Sequence, residues 1–162
     1  MGLMPVTAAG HASWALGVAK SMLDDVSELA MTKVRMGDDG ALANRASFQR
    51  GLSHHTAMWR AARLLILDAF ATAERQVTDE GGLSPSMRAD LRTAATYATE
   101  ASREVVQWAH LAAGTTAIRE GSRLERAFRD MYTGTQHVFI GEKTYTDAAR
   151  IHLGLIEDQI GL

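Results

Sequence analysis

The sequence predicts an all-α protein that folds as an antiparallel, up-and-down bundle of about four to five helices, three of them long. Apolar residues recur at helical spacing over long stretches, and clusters of helix-breaking residues separate these stretches. Only two prolines occur in 162 residues, so most of the chain is free to be helical. No segment shows the strict alternation of apolar and polar residues that is typical of strands.

The first two long helices are predicted from their apolar stripes and from the glycine-rich segments that follow them. The first covers residues 6–36 and ends at the turn-forming segment 37–40. The second covers residues 43–77 and ends before the segment 79–82. The stripe of the first helix advances in steps of three and four residues, through Trp14, Val18, Met22, Val26 and Leu29.

The third long helix opens at Ser84, a favoured N-cap residue, followed by Pro85, which suits the first helical position. Its stripe continues until the chain is interrupted at Gly114. A shorter helix follows, the segment 133–135 is predicted to interrupt it, and a last helix is expected over residues 141–155. Such amphipathic helices, joined by short turns, pack most simply as a bundle.

Composition excludes several classes of protein. The net charge is −2 with both signs interspersed, so neither a nucleic-acid nor a membrane partner is expected. No stretch approaches the roughly 18 apolar residues of a membrane span. The chain contains no cysteine and its first residues do not resemble a signal peptide, which together favour a cytoplasmic protein.

The motifs of common metal and nucleotide sites are absent. No glutamate is followed by histidine three residues later, and there is neither a His-Glu-x-x-His motif nor a phosphate-binding glycine loop. We therefore predict no metal site. His137 follows an expected helix break, yet spacing alone favours a structural role for it too. The three tryptophans are assigned to the core. Structural or surface roles are assigned to His11, His54, His55, His110 and His152.

Several ordered motifs together resemble the C-terminal domain of the acyl-CoA dehydrogenase superfamily. The segment 124–137 contains Arg-Asp and then Gly-Thr-Gln-His, residues 15–24 are similar to the opening of that domain, and Gln107 precedes an Ala-Gly pair at Gly114. The resemblance implies that residues 1–162 form a single C-terminal helical bundle domain, with the family's N-terminal helical and middle β-domains absent from this chain. It also implies FAD, or reduced flavin, between domains, and a homo-oligomer (a dimer or tetramer) formed through the bundle.

The resemblance assigns cofactor contacts to five residues. Gly134 and Thr135 match the Gly-Thr pair that approaches the flavin. Gln107 matches a glutamine that contacts FAD of the neighbouring subunit, and Gly114 matches part of a glycine pair. Lys33 stands where an arginine commonly binds the pyrophosphate; a lysine keeps the charge but loses the bidentate geometry.

One departure from the family pattern decides between activities. Many acyl-CoA dehydrogenases have a catalytic glutamate immediately before Gly-Thr, and here that position is Thr133, which is not a base at neutral pH. His137 instead resembles a histidine of the flavin-dependent monooxygenase branch, which acts near the flavin on phenolic or heteroaromatic substrates. An imidazole suits proton transfer there because its pKa is near 6.5. The resemblance thus implies His137 as the catalytic residue and a separate flavin reductase as partner.

Two alternatives stay open at this stage. The chain could be a stand-alone helical interaction or oligomerisation protein without catalysis, or it could belong to a true acyl-CoA dehydrogenase whose base lies elsewhere. Whether the chain belongs to a monooxygenase or to an acyl-CoA dehydrogenase, the isolated chain is expected to be inactive and to bind no flavin by itself, because only part of the cofactor's contacts lie within it. The substrate is left open.

Overall fold

The fold is known from a computed structural model, which describes residues 3–159. The only β-type pairing within these residues is an isolated antiparallel bridge between Val34 and Ala41, so the all-α prediction is confirmed. None of the described helices is both long enough and apolar enough to cross a membrane. The five helices are α1 (Leu3–Thr32), α2 (Ala46–Glu80), α3 (Pro85–Ala113), α4 (Arg123–Gly134) and α5 (Glu142–His152), and short 3-10 helices span Leu42–Asn44 and Gly114–Ile118.

Helix α3 is the centre of the bundle and packs against each of the other four helices. Its buried face is rich in alanine, which lets α1 and α2 approach closely. One apolar cluster joins α1, α3 and α4 around Met22, Val105 and Met131. A second joins α1, α2 and α3 around Ile66 and Leu91. Burying a side chain of this size contributes about 1.5–3 kcal/mol to the stability of the fold. The two clusters bury many such side chains and therefore hold the long helices together.

The start of α3 agrees with the prediction. Ser84 is its N-cap: the Ser84 Oγ accepts a hydrogen bond from the Met87 amide at 3.2 Å, and Pro85 occupies the first turn. The predicted end of α2 at residue 77 is wrong, because the helix continues to Glu80. It ends at Gly81, whose φ of 78° allows the left-handed C-cap in which the Gly81 amide donates to the Val77 carbonyl.

The predicted end of α1 at residue 36 is also wrong, because the helix stops at Thr32. Beyond it, Val34 pairs with Ala41, and the Leu42 amide donates to the Lys33 carbonyl at 2.7 Å. This pairing withdraws residues 33–36 from the helix and closes a turn at Gly37, which has a φ of 87°. The Lys33 side chain consequently reaches the C-terminal end of α3.

The expected break at residues 133–135 does not occur where it was predicted, since α4 includes Gly134 and is capped by Thr135. A tight segment then leads to α5, which is shorter than the predicted 141–155. Helix α5 ends at His152, and Gly154, with a φ of 67°, turns the chain so that the Leu155 amide donates to the Arg150 carbonyl. The end of α4 thereby lies against the first turns of α1, where the candidate site forms.

Candidate functional site

A cleft of about 360 Å³ lies between α1 and the end of α4. It contains two of the residues predicted for the site, His137 and Gly134, and it adds two residues from α1 that the sequence analysis had assigned to structural roles. No carboxylate lines it among the described residues. Its walls are formed by His11, Trp14, Thr133, Gly134, Gln136 and His137.

Gly134 is required by the position of Trp14. A Cβ atom on Gly134 would lie 2.2 Å from the Trp14 Cη2 atom and 2.4 Å from its Cζ3 atom, distances that real side chains do not tolerate. Only glycine therefore lets the indole ring lie over the end of α4. Trp14 is 37% exposed and forms a wall of the cleft, so its assignment to the core is wrong.

Two imidazole rings face each other in the cleft. The ring centroids of His11 and His137 are 5.4 Å apart, and the His11 ring also lies 5.2 Å from Trp14. The His11 Nε2 atom is buried and has no hydrogen-bond partner among the described residues. Burial, and then the nearby charge of His137, lowers the pKa of His11. His11 is therefore predominantly neutral at pH 7, and its buried Nε2 atom has no hydrogen-bond partner among the described residues.

The His137 ring is held by its own turn. Its Nδ1 atom accepts a hydrogen bond from the Phe139 amide at 3.3 Å, so the neutral ring carries its proton on Nε2. Arg92 anchors this turn from α3. It donates to the Phe139 carbonyl at 2.6 Å and to the Thr144 Oγ1 atom at 3.3 Å, and its guanidinium lies 5.5 Å from the Phe139 ring centroid.

Arg92 belongs to no motif that the sequence shows. The side chain is only 3% exposed, and burial lowers the pKa of the guanidinium. The one signal in the sequence is that this arginine follows Leu91, a residue of the apolar stripe of α3. A charged side chain that is buried there needs a partner, because long charged side chains are seldom fully buried without one. Its carbonyl partner lies in a distant turn, which no local pattern reveals.

Thr135 does not reach the cleft with its side chain. Its Oγ1 atom donates to the Tyr132 carbonyl at 3.1 Å, and its amide donates to the Met131 carbonyl at 3.0 Å. The residue is 9% exposed and does not line the cleft. Thr135 thus closes the end of α4, and its predicted contact with a flavin stays a prediction.

Lys33 and Gly114 meet in a second cleft, of about 490 Å³, at the C-terminal end of α3. The Lys33 Nζ atom donates to the Ala113 carbonyl and to the Thr116 Oγ1 atom, both at 2.6 Å. Gly114 has a φ of 57°, and a Cβ there would lie 3.9 Å from Nζ. The backbone turns sharply at this glycine, which places the lysine against the segment that follows α3.

This second cleft is strongly basic. Arg35 and Arg119 line it together with Lys33, and no acidic residue does so within the described part of the chain. Burial, followed by the charges of Arg35 and Arg119, lowers the pKa of Lys33. The Arg35 Nη2 atom also donates to the Ala112 carbonyl at 2.8 Å. Three cations around one recess create a positive potential that suits an anionic group such as a phosphate.

Gln107 lies in neither cleft. It is exposed on α3, in a groove of about 480 Å³ that Met58, Tyr97, Glu100 and Glu104 also line. The predicted site residues therefore occupy three separate places: His137 with Gly134, Lys33 with Gly114, and Gln107 alone. A ligand that contacts all of them has to extend across the surface of the bundle.

Residues 9–142 match the family described as acyl-CoA dehydrogenase, C-terminal domain. An indole-3-acetate monooxygenase from Pseudomonas putida is 30% identical over 139 residues, which cover 86% of this chain and 36% of that protein. A protein of the same description from Acinetobacter baumannii is 26% identical over 140 residues, with the same shares covered. The chain thus spans about a third of the length of the curated relatives it matches.

Solved structures share the fold. XiaF from Streptomyces sp., in complex with FADH2 and glycerol, superposes with a TM-score of 0.89 at 19% identity, over 98% of this chain and 41% of its own. The HsaA monooxygenase from M. tuberculosis superposes with a TM-score of 0.87 at 18% identity, over 100% of this chain and 41% of its own. Butyryl-CoA dehydrogenase from Megasphaera elsdenii superposes with a TM-score of 0.77 at 22% identity, over 93% of this chain and 37% of its own.

Proposed function

This chain belongs to the acyl-CoA dehydrogenase C-terminal domain family, and we propose that it is the C-terminal helical domain of an FAD-dependent oxidoreductase of the flavin-dependent monooxygenase type. In this proposal the N-terminal helical and middle β-domains of the parent complete the flavin site. Two curated relatives that carry the name monooxygenase support this reading, and one of them is 30% identical to the chain.

The observation that carries the proposal is the chemistry of the cleft between α1 and α4. It holds two imidazoles, those of His11 and His137, and no carboxylate from the described residues. Removal of an α-proton from an acyl thioester needs a strong positioned base, and Thr133 cannot supply it: its hydroxyl donates to the Arg129 carbonyl at 2.9 Å. Imidazoles instead suit proton transfer to and from a phenol or an aromatic N–H group.

The two imidazoles can take different parts in that transfer. His137, with its Nδ1 atom engaged by the Phe139 amide, presents Nε2–H as a donor. His11, neutral at pH 7, has an unpartnered Nε2 atom that would accept a hydrogen bond when its proton is on Nδ1. Because this atom is buried, the ring would have to turn toward the cleft when a ligand binds. The exposed ring of Trp14 offers an apolar wall for a planar substrate. Together these side chains would orient an aromatic ligand and move one proton at its polar atom.

The donor set of the basic cleft fits the diphosphate of a flavin nucleotide. Lys33, Arg35 and Arg119 would hold it, with the Thr115 and Thr116 segment beside them. Two of the three N–H groups of Lys33 already donate to the Ala113 carbonyl and to Thr116, so one remains for a phosphate oxygen. When bound, the flavin supplies the redox chemistry with oxygen, after reduction that we assign to a separate flavin reductase.

We also propose that the bundle contributes to a homo-oligomer. Helix α2 exposes three leucines in close succession, with exposed fractions of 61% for Leu64, 40% for Leu65 and 49% for Leu67. Contiguous exposed apolar side chains of this kind mark interaction surfaces more often than chance. Light scattering on the eluted peak of a gel-filtration run tests this: a mass near 17.6 kDa would speak against self-association of this chain.

The activity is tested in the full-length parent, supplied with reduced FAD and oxygen. His137→Ala is expected to lower the rate of hydroxylation of phenols or of indole-3-acetate by about 10²–10⁴-fold, the usual contribution of a general acid or base. His152→Ala is the control, since His152 pairs with Asp90 at 3.0 Å and lines no candidate cleft. Unchanged hydroxylation in His137→Ala, or turnover of acyl-CoA thioesters in place of aromatic substrates, would refute the proposal.

Binding of the cofactor is tested separately. We expect FAD to bind the 162-residue chain weakly or not at all, and to bind the parent tightly. In the parent, Lys33→Met should raise the dissociation constant of FAD by about tenfold or more, because a charge-assisted hydrogen bond contributes about 1.5–3 kcal/mol. Unchanged affinity in Lys33→Met would remove the basic cleft from the flavin site, while leaving the test of His137 intact.

A further inference from the structure

A cluster of potential metal ligands lies between α2 and α3, outside the histidine cleft and the basic cleft. His54 and His55 are consecutive on α2, and Glu104 faces them from α3. The two imidazole centroids are 5.0 Å apart with their planes at 89°. One potential ligand atom from each of the three residues lies within 4.8 Å of the others. Consecutive residues on a helix point about 100° apart, which by itself makes a shared ion difficult, and the absence of metal motifs predicted no metal site. The potential ligand atoms nevertheless lie close together.

His55 is oriented as metal-binding histidines are. Its Nδ1 atom lies 2.7 Å from the Gly51 carbonyl oxygen. Since a carbonyl only accepts, the proton must be on Nδ1, and the lone pair is on Nε2. The ring is also stacked on Trp108, with centroids 4.6 Å apart and planes at 12°. Histidines that bind metals commonly donate their other ring N–H to a backbone carbonyl in this way, which sets both the tautomer and the direction of the ligand atom.

The stacking of His55 on Trp108 depends on Gly51, which has no part in the proposed flavin site. A Cβ atom on Gly51 would lie 2.4 Å from the Trp108 Nε1 atom, so glycine is what admits the indole against α2. Gly51 therefore contributes twice to the orientation of His55, through its carbonyl and through the space it leaves for Trp108. An arrangement held from two sides costs less ordering when a ligand binds.

We propose that His54, His55 and Glu104 form a binding site for a divalent transition-metal ion of the zinc type. Two imidazole nitrogens and one carboxylate oxygen are a donor set that suits Zn²⁺, Co²⁺ and Ni²⁺, whereas Mg²⁺ and Ca²⁺ prefer oxygen ligands. A tetrahedral ion with ligands at about 2.0–2.1 Å needs them about 3.3 Å apart. The side chains of His54 and Glu104 are exposed, so both can rotate inward while His55 stays in place.

The bound ion would join α2 to α3, because two ligands come from one helix and the third from the other. A ligand that binds only the folded chain stabilises it. Once the ligand concentration exceeds the dissociation constant, this stabilisation grows with the logarithm of that concentration, and the melting temperature of the chain rises. None of the three residues lines the histidine cleft or the basic cleft, although Glu104 shares its groove with Gln107. Zn²⁺ binding is measured without flavin, so its outcome is separate from the tests of the proposed flavin chemistry.

The test uses the 162-residue chain free of any histidine tag. Calorimetric titration with ZnCl2 should give one saturable site per chain, and Zn²⁺ should raise the melting temperature. His54→Gln and Glu104→Gln should each weaken Zn²⁺ binding at least tenfold, and both positions are exposed, so the fold is retained. His55→Gln should do the same. His152→Gln is the matched control, since it removes a histidine that also has a carboxylate beside it, that of Asp90.

Two outcomes would overturn the proposal. One is the absence of saturable binding of Zn²⁺, Co²⁺ and Ni²⁺ to the wild-type chain. The other is binding by His54→Gln or Glu104→Gln that equals binding by the wild type, which would place the ion elsewhere. Because these variants change exposed side chains, a failure of His55→Gln to fold leaves both outcomes measurable.

Discussion

Replacing Gly134 by alanine tests the contact on which the histidine cleft is built. The new Cβ atom would meet the Trp14 ring at 2.2 and 2.4 Å, so the indole has to leave its place over the end of α4. Overpacking of this kind costs about 1–3 kcal/mol. Alanine recovers at most about 1 kcal/mol of helix propensity, and less at a helix end. The expected result is a net loss of about 1–2 kcal/mol in the free energy of unfolding.

The assay is urea unfolding followed by circular dichroism, with the midpoint and slope fitted together. Gly17→Ala is the matched control: it makes the same chemical change inside α1, where an added Cβ meets no atom within 4 Å. That variant should gain about 0.5–1 kcal/mol from helix propensity alone. Opposite signs for two identical substitutions would identify the Trp14 contact, and not helix propensity, as the cause.

A double-mutant cycle isolates the contact further. In a Trp14→Leu background the obstructing ring is gone, so Gly134→Ala should lose its penalty and become neutral or stabilising. If Gly134→Ala alone is as stable as the wild type, or if it loses as much stability without the Trp14 ring, the contact with Trp14 does not set the requirement for glycine. In the full-length parent that we propose, the same substitution should impair the proposed hydroxylation, because Trp14 and His137 line one cleft.

Three further outcomes are expected. Gly51→Ala should lower the unfolding free energy by about 1–3 kcal/mol, because its Cβ would lie 2.4–2.8 Å from atoms of the Trp108 ring; stability equal to that of Gly10→Ala, where space is open, would contradict this. Arg92→Met should cost about 2–3 kcal/mol through loss of its hydrogen bond to the Phe139 carbonyl, and should speed amide exchange in residues 136–141; unchanged exchange there would show that the turn is held by other contacts. His11 has a lowered pKa in the folded state, so the unfolded state binds more protons below about pH 6.5 and stability falls as the pH is lowered through that range. His11→Phe should therefore lose less stability between pH 7.5 and pH 5 than the wild type does, and an equal loss in urea unfolding would argue against burial of His11.

Much of the fold could be predicted because its signals are local. Apolar periodicity located the long helices, Ser84 and Pro85 marked the start of α3, and Gly114 marked its end. The errors are at boundaries where distant residues intervene. The bridge between Val34 and Ala41 ends α1 early. The Trp14 ring explains why the last residue of α4 is a glycine, Gly134, which the sequence pattern had suggested was part of a helix break.

The candidate site was predictable only in part. Resemblance indicated His137 and Gly134, and the structure brings them together. It did not indicate His11 or Trp14, which belong to the first helix and had no chemically suggestive neighbours in the sequence. Arg92 was missed for the same reason, since its partner is the carbonyl of Phe139 in another part of the chain. The placement of Thr135 and Gln107 outside the cleft likewise depends on packing.

By itself, the sequence determined that this protein is a helical bundle, where its long helices lie, and which family its motifs resemble. These properties follow from interactions over three or four residues, which periodicity, caps and breakers record directly. Only the tertiary structure decided which side chains lie close together: His11 with His137, Lys33 with Arg119, and His55 with Glu104. Those pairings follow from which helix faces are packed together, and close packing in the core depends on residues far apart in the chain.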